Sequence, residues 1–315
     1  MSAQTASPTK QPPSLWARIL DSDILASFLR SKVTIVAAVI VLVLFIGAFF
    51  SPWIAPTNPF DPATVFLADA NIPPAWQQGG DPKFILGTDD QGRDLYSAIL
   101  YGLRVSLIVG LLGVALAATI GITLGLLAGS LGGRVDSLIM RIADVQLSFP
   151  AILIALLIDG VARAAVPREL HEIIAFPVLI GAIALAGWPQ YARTVRGSTL
   201  VEKNREYVQA ARVIGVASPV IMFRHVLPNV LGPVLVLATV HLATAIITEA
   251  TLSFLGVGVP PTAPSLGTLI RIGNDFLFSG EWWITIFPGA ALVLLVLSVN
   301  LLGDWLRDAL NPRLG

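Results

Sequence analysis

Long apolar runs constrain the fold of this chain more than any other feature of its sequence. A helix rises about 1.5 Å per residue, so crossing a hydrocarbon core of about 30 Å takes about 20 mostly apolar residues. Six stretches reach or approach that length: residues 33–52, 104–129, 140–159, 173–190, 229–250 and 284–303. They predict an all-α, polytopic membrane protein whose six transmembrane helices form one bundle.

Composition supports this prediction. Hydrophobic residues make up 55% of the chain, charged residues only 13%, and the mean hydropathy is +0.78, whereas roughly 25% of a soluble domain is charged. Asp144 and Pro150 interrupt the third stretch, and Pro177 and Gly187 interrupt the fourth. Such breaks are tolerated where neighbouring helices cover the backbone, so we expect these two helices inside the bundle.

Basic residues predict the orientation, because they are retained on the cytoplasmic side of a membrane. Alternate loops and the two tails hold 14 of the 20 basic residues, and the opposite loops hold six. We therefore expect both termini in the cytoplasm, with tails at residues 1–32 and 304–315. Residues 1–14 are rich in Ser, Thr, Gln and Pro, which predicts disorder, and the first run is interpreted as an uncleaved transmembrane helix.

Two external segments admit two interpretations each. Residues 53–103, rich in proline and acidic residues, are either a connector or a structured flap that seats an external substrate-binding protein or gates the outer mouth. Residues 251–283 admit the same alternatives. Within them, Trp282 and Trp283 are predicted to anchor the chain at the membrane interface.

A polar, basic stretch lies between the fourth and fifth apolar runs, and we call residues 191–228 the corner segment. Residues 202–214 are rich in helix formers, and Gly215 is expected to stop that helix. A second helix is then predicted, capped by Ser218, with Pro219 at its first position and its end at Pro228.

The corner segment also admits two interpretations. Ala210 and Ala211 leave a smooth face at the corner, which favours docking by another protein. Alternatively, the segment is an amphipathic helix on the membrane surface. In that case its basic residues would meet anionic headgroups: Arg193, Arg196, Lys203, Arg205, Arg212 and Arg224.

The spacing within the corner segment resembles the EAA loop of ABC importer permeases, in which Glu-Ala-Ala is followed by three residues, Gly, nine residues and Ile-x-Leu-Pro. Gln209, Ala210, Ala211, Gly215, Leu227 and Pro228 match that pattern. Gln209 replaces the Glu and His225 replaces the Ile. The glutamine keeps the length and the hydrogen-bonding capacity of glutamate but lacks its charge.

Other segments are similar to the C-type permease subunit of the dipeptide, oligopeptide and nickel importer family. They are residues 87–94 (GTDDQGRD), 101–107 (YGLRVSL), 249–256 (EATLSFLG) and 300–310 (NLLGDWLRDAL). The resemblance implies a type I ABC importer permease fold, with the permease core at residues 104–303. It also implies that the corner segment couples ATPase motion to gating, through these residues: Gln209, Ala210, Ala211, Gly215, Ser218, Pro219, Arg224, His225, Leu227 and Pro228.

The same resemblance implies the partners. A homologous permease subunit would complete the pore in the bacterial cytoplasmic (inner) membrane, two ABC ATPase subunits would bind ATP and Mg, and an extracytoplasmic binding protein would deliver di- or oligopeptides. The family's nickel and glutathione branches remain alternatives for the substrate. This chain would bind no cofactor, catalyse no reaction and contact no nucleic acid.

Ionisable residues inside membrane spans are expensive and are candidates for function. Glu249 and Asp159 lie near the outer ends of their predicted helices, where water or a helix cap could satisfy them, and a structural role is favoured for both. His241 lies mid-span, where it could face the translocation path or, as is favoured, hydrogen-bond a neighbouring helix. We take His241 and Glu249 as pore candidates. The three histidines are widely spaced and the chain has no cysteine, so no metal site is predicted.

Two other classes of function compete with the importer. A stand-alone channel or ion-coupled carrier would need an intramembrane charge relay, whereas the spans offer three scattered ionisable residues. A membrane-bound enzyme is disfavoured because the sequence contains no Gly-x-x-x-x-Gly-Lys-Ser/Thr, Gly-x-Ser-x-Gly or His-Glu-x-x-His motif.

Overall fold

The computed structural model describes residues 23–310 except residues 62 and 261, and that part of the chain is mostly helical and contains no named strand. The α-helices are α1 (Asp23–Arg30), α2 (Lys32–Phe49), α3 (Ser51–Ile54), α4 (Leu95–Leu131), α5 (Gly133–Leu147), α6 (Ala151–Ala165), α7 (His171–Glu202), α8 (Glu206–Val213), α9 (Ser218–Val220), α10 (Leu227–Phe254), α11 (Leu266–Phe276) and α12 (Trp283–Ala309). A π-helical turn, Ile221–Val226, joins α9 to α10. The predicted disorder of residues 1–14 lies outside the described residues.

Among the residues that the structure describes, five helices are long and apolar enough to span a membrane: α2, α4, α7, α10 and α12, with α7 and α10 counted together with the short turns that precede them. They coincide with five of the six predicted apolar stretches and confirm the all-α, polytopic fold. Helix α12 continues to Ala309, so the predicted tail from residue 304 begins as helix.

The third predicted span, residues 140–159, is not one straight helix. Helices α5 and α6 meet there at 94°, with the break at residues 148–150. Pro150 has no backbone N–H and disfavours a helical conformation at the residue before it, so the helix ends there and restarts at Ala151. The bent pair can still count as a sixth span, because the two helices pass the length and hydropathy criteria together.

Helix α4 is longer than predicted and begins nine residues before the expected boundary. The side chain of Asp94 accepts a hydrogen bond from the Ser97 backbone N–H, at 2.9 Å, and so caps the helix. Residues 95–103, predicted as the end of the loop before this helix, are therefore the first turns of α4.

Helices α4 and α7 pack closely along a row of glycines. A Cβ atom at Gly121, Gly125 or Gly129 would collide with atoms of α7, so the two backbones approach where side chains are missing. The glycines are spaced four positions apart, which places all three on one helix face. Small residues at this spacing permit close packing of membrane helices, as the structure shows for α4 and α7.

A proline inside α7 is compensated by a neighbouring helix. Pro189 lacks the N–H that would bond to the Leu185 carbonyl in a regular helix. The side-chain amide of Gln146, at the end of α5, donates to that carbonyl instead, and its oxygen accepts a hydrogen bond from the Trp188 indole N–H at 2.9 Å. The α5–α6 bend is therefore tied to the middle of α7.

The external segment before α4 is anchored to the bundle. Residues Thr88 and Asp94 form an isolated antiparallel bridge, and Arg93 Nε lies 2.6 Å from an Asp89 carboxylate oxygen in a buried ion pair. The Trp283 indole N–H donates to the Thr88 carbonyl at 3.1 Å. Trp283 is buried, so the prediction of a membrane-interface anchor is wrong for this tryptophan, which instead anchors the segment before α4.

Candidate functional site

Gly215 ends α8 as the sequence predicts. Its φ is +81°, in the left-handed region that costs other residues about 1–2 kcal/mol. The Gly215 N–H donates to the Arg212 carbonyl and the Val216 N–H donates to the Ala211 carbonyl, both at 3.0 Å. These two bonds are the Schellman arrangement, and they turn the chain sharply at the tip of the corner segment.

The second helix of the corner segment differs from the prediction in two ways. Ala217 occupies the N-cap position, Ser218 is the first helical residue and makes no side-chain cap bond, and Pro219 is the second. The helix also does not end at Pro228. The π turn carries it into α10, and the Leu227 N–H bonds to the Met222 carbonyl, five residues back. A proline in the first turn of a helix loses little, so Pro228 is accommodated within α10.

A group of hydrogen bonds around Tyr207, which we call the knot, fixes the corner segment to both neighbouring long helices. The Tyr207 hydroxyl of α8 donates to a Glu202 carboxylate oxygen of α7 at 2.7 Å. The Asn229 side-chain amide of α10 donates to the Tyr207 oxygen at 3.1 Å and to the His225 carbonyl at 2.7 Å. Partial burial, followed by the bond to Glu202, raises the pKa of Tyr207, so the phenol remains a hydrogen-bond donor near neutral pH.

The exposed apolar side chains of the corner segment differ from those that the sequence suggests. Ala211 is buried and only Ala210 is exposed, so the expected smooth face of two alanines is wrong. Val213 and Ile214, at the tip of α8, are instead 87% and 79% exposed. We call these two side chains the corner face.

The structure gives Gln209 a role that a glutamate could not fill. Its side-chain amide N–H donates to the Asn204 carbonyl at 3.1 Å, within the turn between α7 and α8. A carboxylate has no hydrogen to donate and would face the carbonyl oxygen. His225 contributes only its backbone carbonyl to the knot, which any residue could supply, so neither departure from the EAA pattern disturbs this geometry.

Most of the basic residues in the corner segment are paired within the protein. Arg193 and Arg196 belong to α7 and form ion pairs with Asp144 and Asp136 of α5. Lys203 donates to the Gly129 carbonyl, and Arg205 lies 3.6 Å from Glu202. Arg212 and Arg224 are exposed, as are Pro219 and Pro228. This pairing weakens the interpretation as a membrane-surface helix, which needs these charges facing lipid.

The two pore candidates occupy different environments. Glu249 is fully buried, and its carboxylate accepts hydrogen bonds from Ser106 at 2.6 Å and Ser253 at 2.7 Å. It joins α10 to α4 rather than lining an open surface. His241 is half-buried, and its Nδ1 lies 3.0 Å from the Tyr191 hydroxyl. Asp159 pairs with Arg163, one turn further along α6, at 2.6 Å.

Sequence reasoning missed Tyr207, Asn229, Val213 and Ile214. An amphipathic pattern indicates the apolar face of a short helix but not which tip residues extend past the packed surface. The Tyr207–Asn229 contact joins residues 22 positions apart, across a turn whose geometry follows from Gly215. The mixture of polar and apolar residues at 206–214 is the sequence signal that could have indicated Tyr207, Val213 and Ile214.

Comparison with known proteins identifies the class. The family described as "binding-protein-dependent transport system inner membrane component" matches residues 121–315, and the N-terminal TM domain of oligopeptide transport permease C matches residues 15–74. The chain belongs to this transport family, as the permease subunit of an ABC importer and a multi-pass inner-membrane component.

Particular relatives are similar along nearly the whole chain. The dipeptide transport system permease protein DppC of Escherichia coli (strain K12) is 44% identical over 291 residues, 91% of either chain. The di/tripeptide transport system permease protein DppC of Pseudomonas aeruginosa (strain UCBPP-PA14) is 38% identical over 314 residues, 100% of this chain and 99% of that protein.

A solved structure shows the same fold. An inward-facing form of the MetNI methionine ABC transporter contains a chain that matches with a TM-score of 0.53 and 20% identity. The match covers 68% of this chain and 96% of that chain.

Proposed function

We propose that this subunit forms half of the translocation pore of a peptide importer and that its corner face, Val213 and Ile214, docks on a cytoplasmic ATPase subunit. The relatives named as dipeptide and di/tripeptide permeases support a peptide substrate. The observation that carries the docking role is the corner face itself, two adjacent apolar side chains that are almost fully exposed at the tip of α8.

The energetics of the corner face favour a protein partner. Fully burying a valine or isoleucine side chain gains about 1.5–3 kcal/mol, and the packed side of α8 uses Val208 and Ala211 instead. Neither Val213 nor Ile214 contributes to the core of this chain, so their apolar surface is available to a cleft on the ATPase.

The corner segment is built to transmit motion. Tyr207 and Asn229 bind it to the ends of α7 and α10, and α7 runs from there along the glycine row of α4. Packed interiors resist compression, so a displacement of the corner face would also displace α7 and α10. In this way, the motion of the closing ATPases would be transmitted to the gate of the translocation pore.

The remaining partners complete this function. The chain itself is non-catalytic and binds no cofactor, two ABC ATPase subunits bind ATP and Mg, a homologous permease supplies the other half of the pore, and an extracytoplasmic binding protein delivers the peptide. The corner segment faces the cytoplasm together with both termini, because 14 of the 20 basic residues lie on that side.

The test replaces one side chain of the corner face. We expect Ile214→Asp to lower ATP-dependent dipeptide uptake about tenfold or more, since losing about 1.4 kcal/mol of docking energy weakens binding tenfold. Uptake is measured in membranes that contain all subunits, and recovery of the ATPases with the tagged permease is measured in parallel.

Ile214→Leu is the matched control, because it keeps the apolar surface at the same position and should transport normally. Full uptake by Ile214→Asp, with the ATPases still bound, would refute the docking role. Binding of dipeptides, nickel and glutathione to the partner binding protein then decides the substrate, and failure to bind peptides would refute that part of the proposal.

A further inference from the structure

A cavity between α7 and α10 contains polar groups that packing of the bundle does not use. Its volume is 190 Å³ and its lining includes Gly187, Gln190, His241, Thr244 and Thr248. His241 is the fifteenth residue of the 28 in α10, so the cavity lies about halfway along this helix.

The imidazole ring of His241 is held in one orientation. Its Nδ1 lies 3.0 Å from the hydroxyl of Tyr191, which is fully buried. A Cβ atom at Gly187 would collide with the His241 ring, so the ring occupies the space that this glycine leaves open on α7. Both Tyr191 and Gly187 therefore position His241.

The hydrogen bond also selects the tautomer of His241. Within the described chain, the buried Tyr191 hydroxyl has no hydrogen-bond partner besides Nδ1, and a buried hydroxyl that donates to nothing is costly. Tyr191 therefore donates, Nδ1 accepts, and in the neutral ring the proton resides on Nε2. Nε2 makes no hydrogen bond to the described residues, and the half-buried ring lines the cavity next to Gly187, so its N–H remains available for a ligand there.

Threonines extend this polar surface along α10. Thr244, Thr248 and Thr251 are spaced four and three residues apart, which places them on one helix face. Their hydroxyls donate to carbonyls of α10 itself, at 2.9, 2.8 and 2.7 Å. The threonines are thus satisfied without a neighbouring helix and leave only oxygen lone pairs exposed.

We propose that this face of α7 and α10 lines the translocation path and that the His241 Nε2–H is a transient binding group for a carbonyl oxygen of the passing peptide. This inference rests on the proposed function as a peptide importer. The path offers neutral groups: an N–H donor at His241, an amide at Gln190 and oxygen acceptors at Thr244 and Thr248. Such groups can hydrogen-bond to the alternating N–H donors and C=O acceptors of a peptide backbone. Because these contacts are uncharged, the peptide can dissociate from them readily.

The first test uses cysteine labelling, for which this chain is suited because it contains no cysteine. We expect Thr244→Cys and Thr248→Cys, in the complete transporter, to react with a membrane-impermeant anionic methanethiosulfonate reagent. The dipeptide added during ATP turnover should slow that reaction several-fold. Val293→Cys is the matched control, since Val293 is 63% exposed on α12 but lies away from the cavity, and we expect it not to react.

The outcomes separate this inference from the proposed function. If uptake is normal but both threonine positions are as unreactive as Val293→Cys, the path lies elsewhere and only this inference fails. If no ATP-dependent uptake of any dipeptide is found with the unaltered chain, the proposed function fails first.

A second measurement tests His241 itself. Loss of one hydrogen bond to the peptide should lower uptake per ATP hydrolysed about two- to tenfold in His241→Leu, while His241→Gln, which keeps an N–H donor, should retain most of it. Equal uptake by His241→Leu and the unaltered chain, or equal loss in both variants with the transporter assembled, would overturn the role of the Nε2–H.

Discussion

A few single residues decide the geometry of the corner segment. Gly215 permits the left-handed turn, Gln209 donates to the Asn204 carbonyl in the preceding turn, and Tyr207 joins two helices through one hydroxyl. Gly215 acts through a backbone conformation that strains other residues, and Gln209 and Tyr207 act through hydrogen bonds that glutamate and phenylalanine cannot make. The residues that form the corner face, in contrast, make no such bonds and are available to a partner.

At this scale we expect Tyr207→Phe to loosen the coupling between ATP hydrolysis and transport. The change removes the donor to Glu202 and the acceptor for Asn229, and each hydrogen bond lost at this partly exposed site costs about 0.5–1.5 kcal/mol. The ratio of peptide transported to ATP hydrolysed should fall, while the protein still inserts in the membrane.

Tyr101→Phe is the control for this change, because the Tyr101 ring packs edge-on against Phe60 and its hydroxyl makes no hydrogen bond within the described chain. Its coupling ratio should match that of the unaltered protein. A normal ratio in Tyr207→Phe would contradict the knot as a mechanical link.

Some residue-scale features followed from the sequence and others did not. Gly215 was predictable because only glycine adopts its φ without strain. The cap was not, because Ser218 can cap a helix only from an extended conformation, and Ala217 occupies that position. Burial of Ala211 depends on which side of α8 meets the bundle, which no single position reveals.

Among the helices, α7 connects the corner segment to the rest of the bundle. It packs along the glycines of α4, forms ion pairs with α5, and its Tyr191 is hydrogen-bonded to His241 of α10. Pro189 lies inside this helix, and Gln146 donates to the Leu185 carbonyl, to which Pro189, lacking an N–H, cannot donate. The helix therefore accommodates the proline while that carbonyl keeps a hydrogen bond.

We expect Gln146→Leu to destabilise the purified protein. The Leu185 carbonyl and the Trp188 indole N–H would both lose their partner, and leaving the polar group of the buried Trp188 unsatisfied costs about 1–3 kcal/mol. The thermal unfolding midpoint in detergent should fall by several degrees.

Gln190→Leu provides the comparison for stability, since Gln190 lines the cavity and its side chain makes no hydrogen bond among the described residues. Its unfolding midpoint should remain close to that of the unaltered chain. Equal unfolding midpoints for Gln146→Leu and Gln190→Leu would show that the hydrogen bonds of Gln146 near Pro189 do not stabilise the protein.

The sequence predicted the presence of the long helices more accurately than the residues at which they begin and end. The five long spans follow from apolar runs, because a bilayer demands length and apolar character. The 94° bend in the third span was not predicted, because Pro150 acts on the backbone in a way that hydropathy does not measure. The start of α4 at Leu95 was missed because its first turns contain buried polar residues, including Ser97.

At the scale of the whole molecule, the parts form one mechanical unit. The segment before α4 is fixed to α12 through Trp283, Glu249 joins α10 to α4, and the knot joins α7, α8 and α10. Movement at the corner face therefore has a packed route to the cavity beside His241. Neither a stand-alone channel nor an ion-coupled carrier has a use for such a route.

The most direct test of this account is solute uptake by the purified transporter in liposomes, with and without ATP. We predict that the chain co-purifies with ATPase subunits and a second permease, and that dipeptide uptake requires both ATP and the binding protein. A lone, homogeneous chain that moves solute into liposomes without ATP would contradict it.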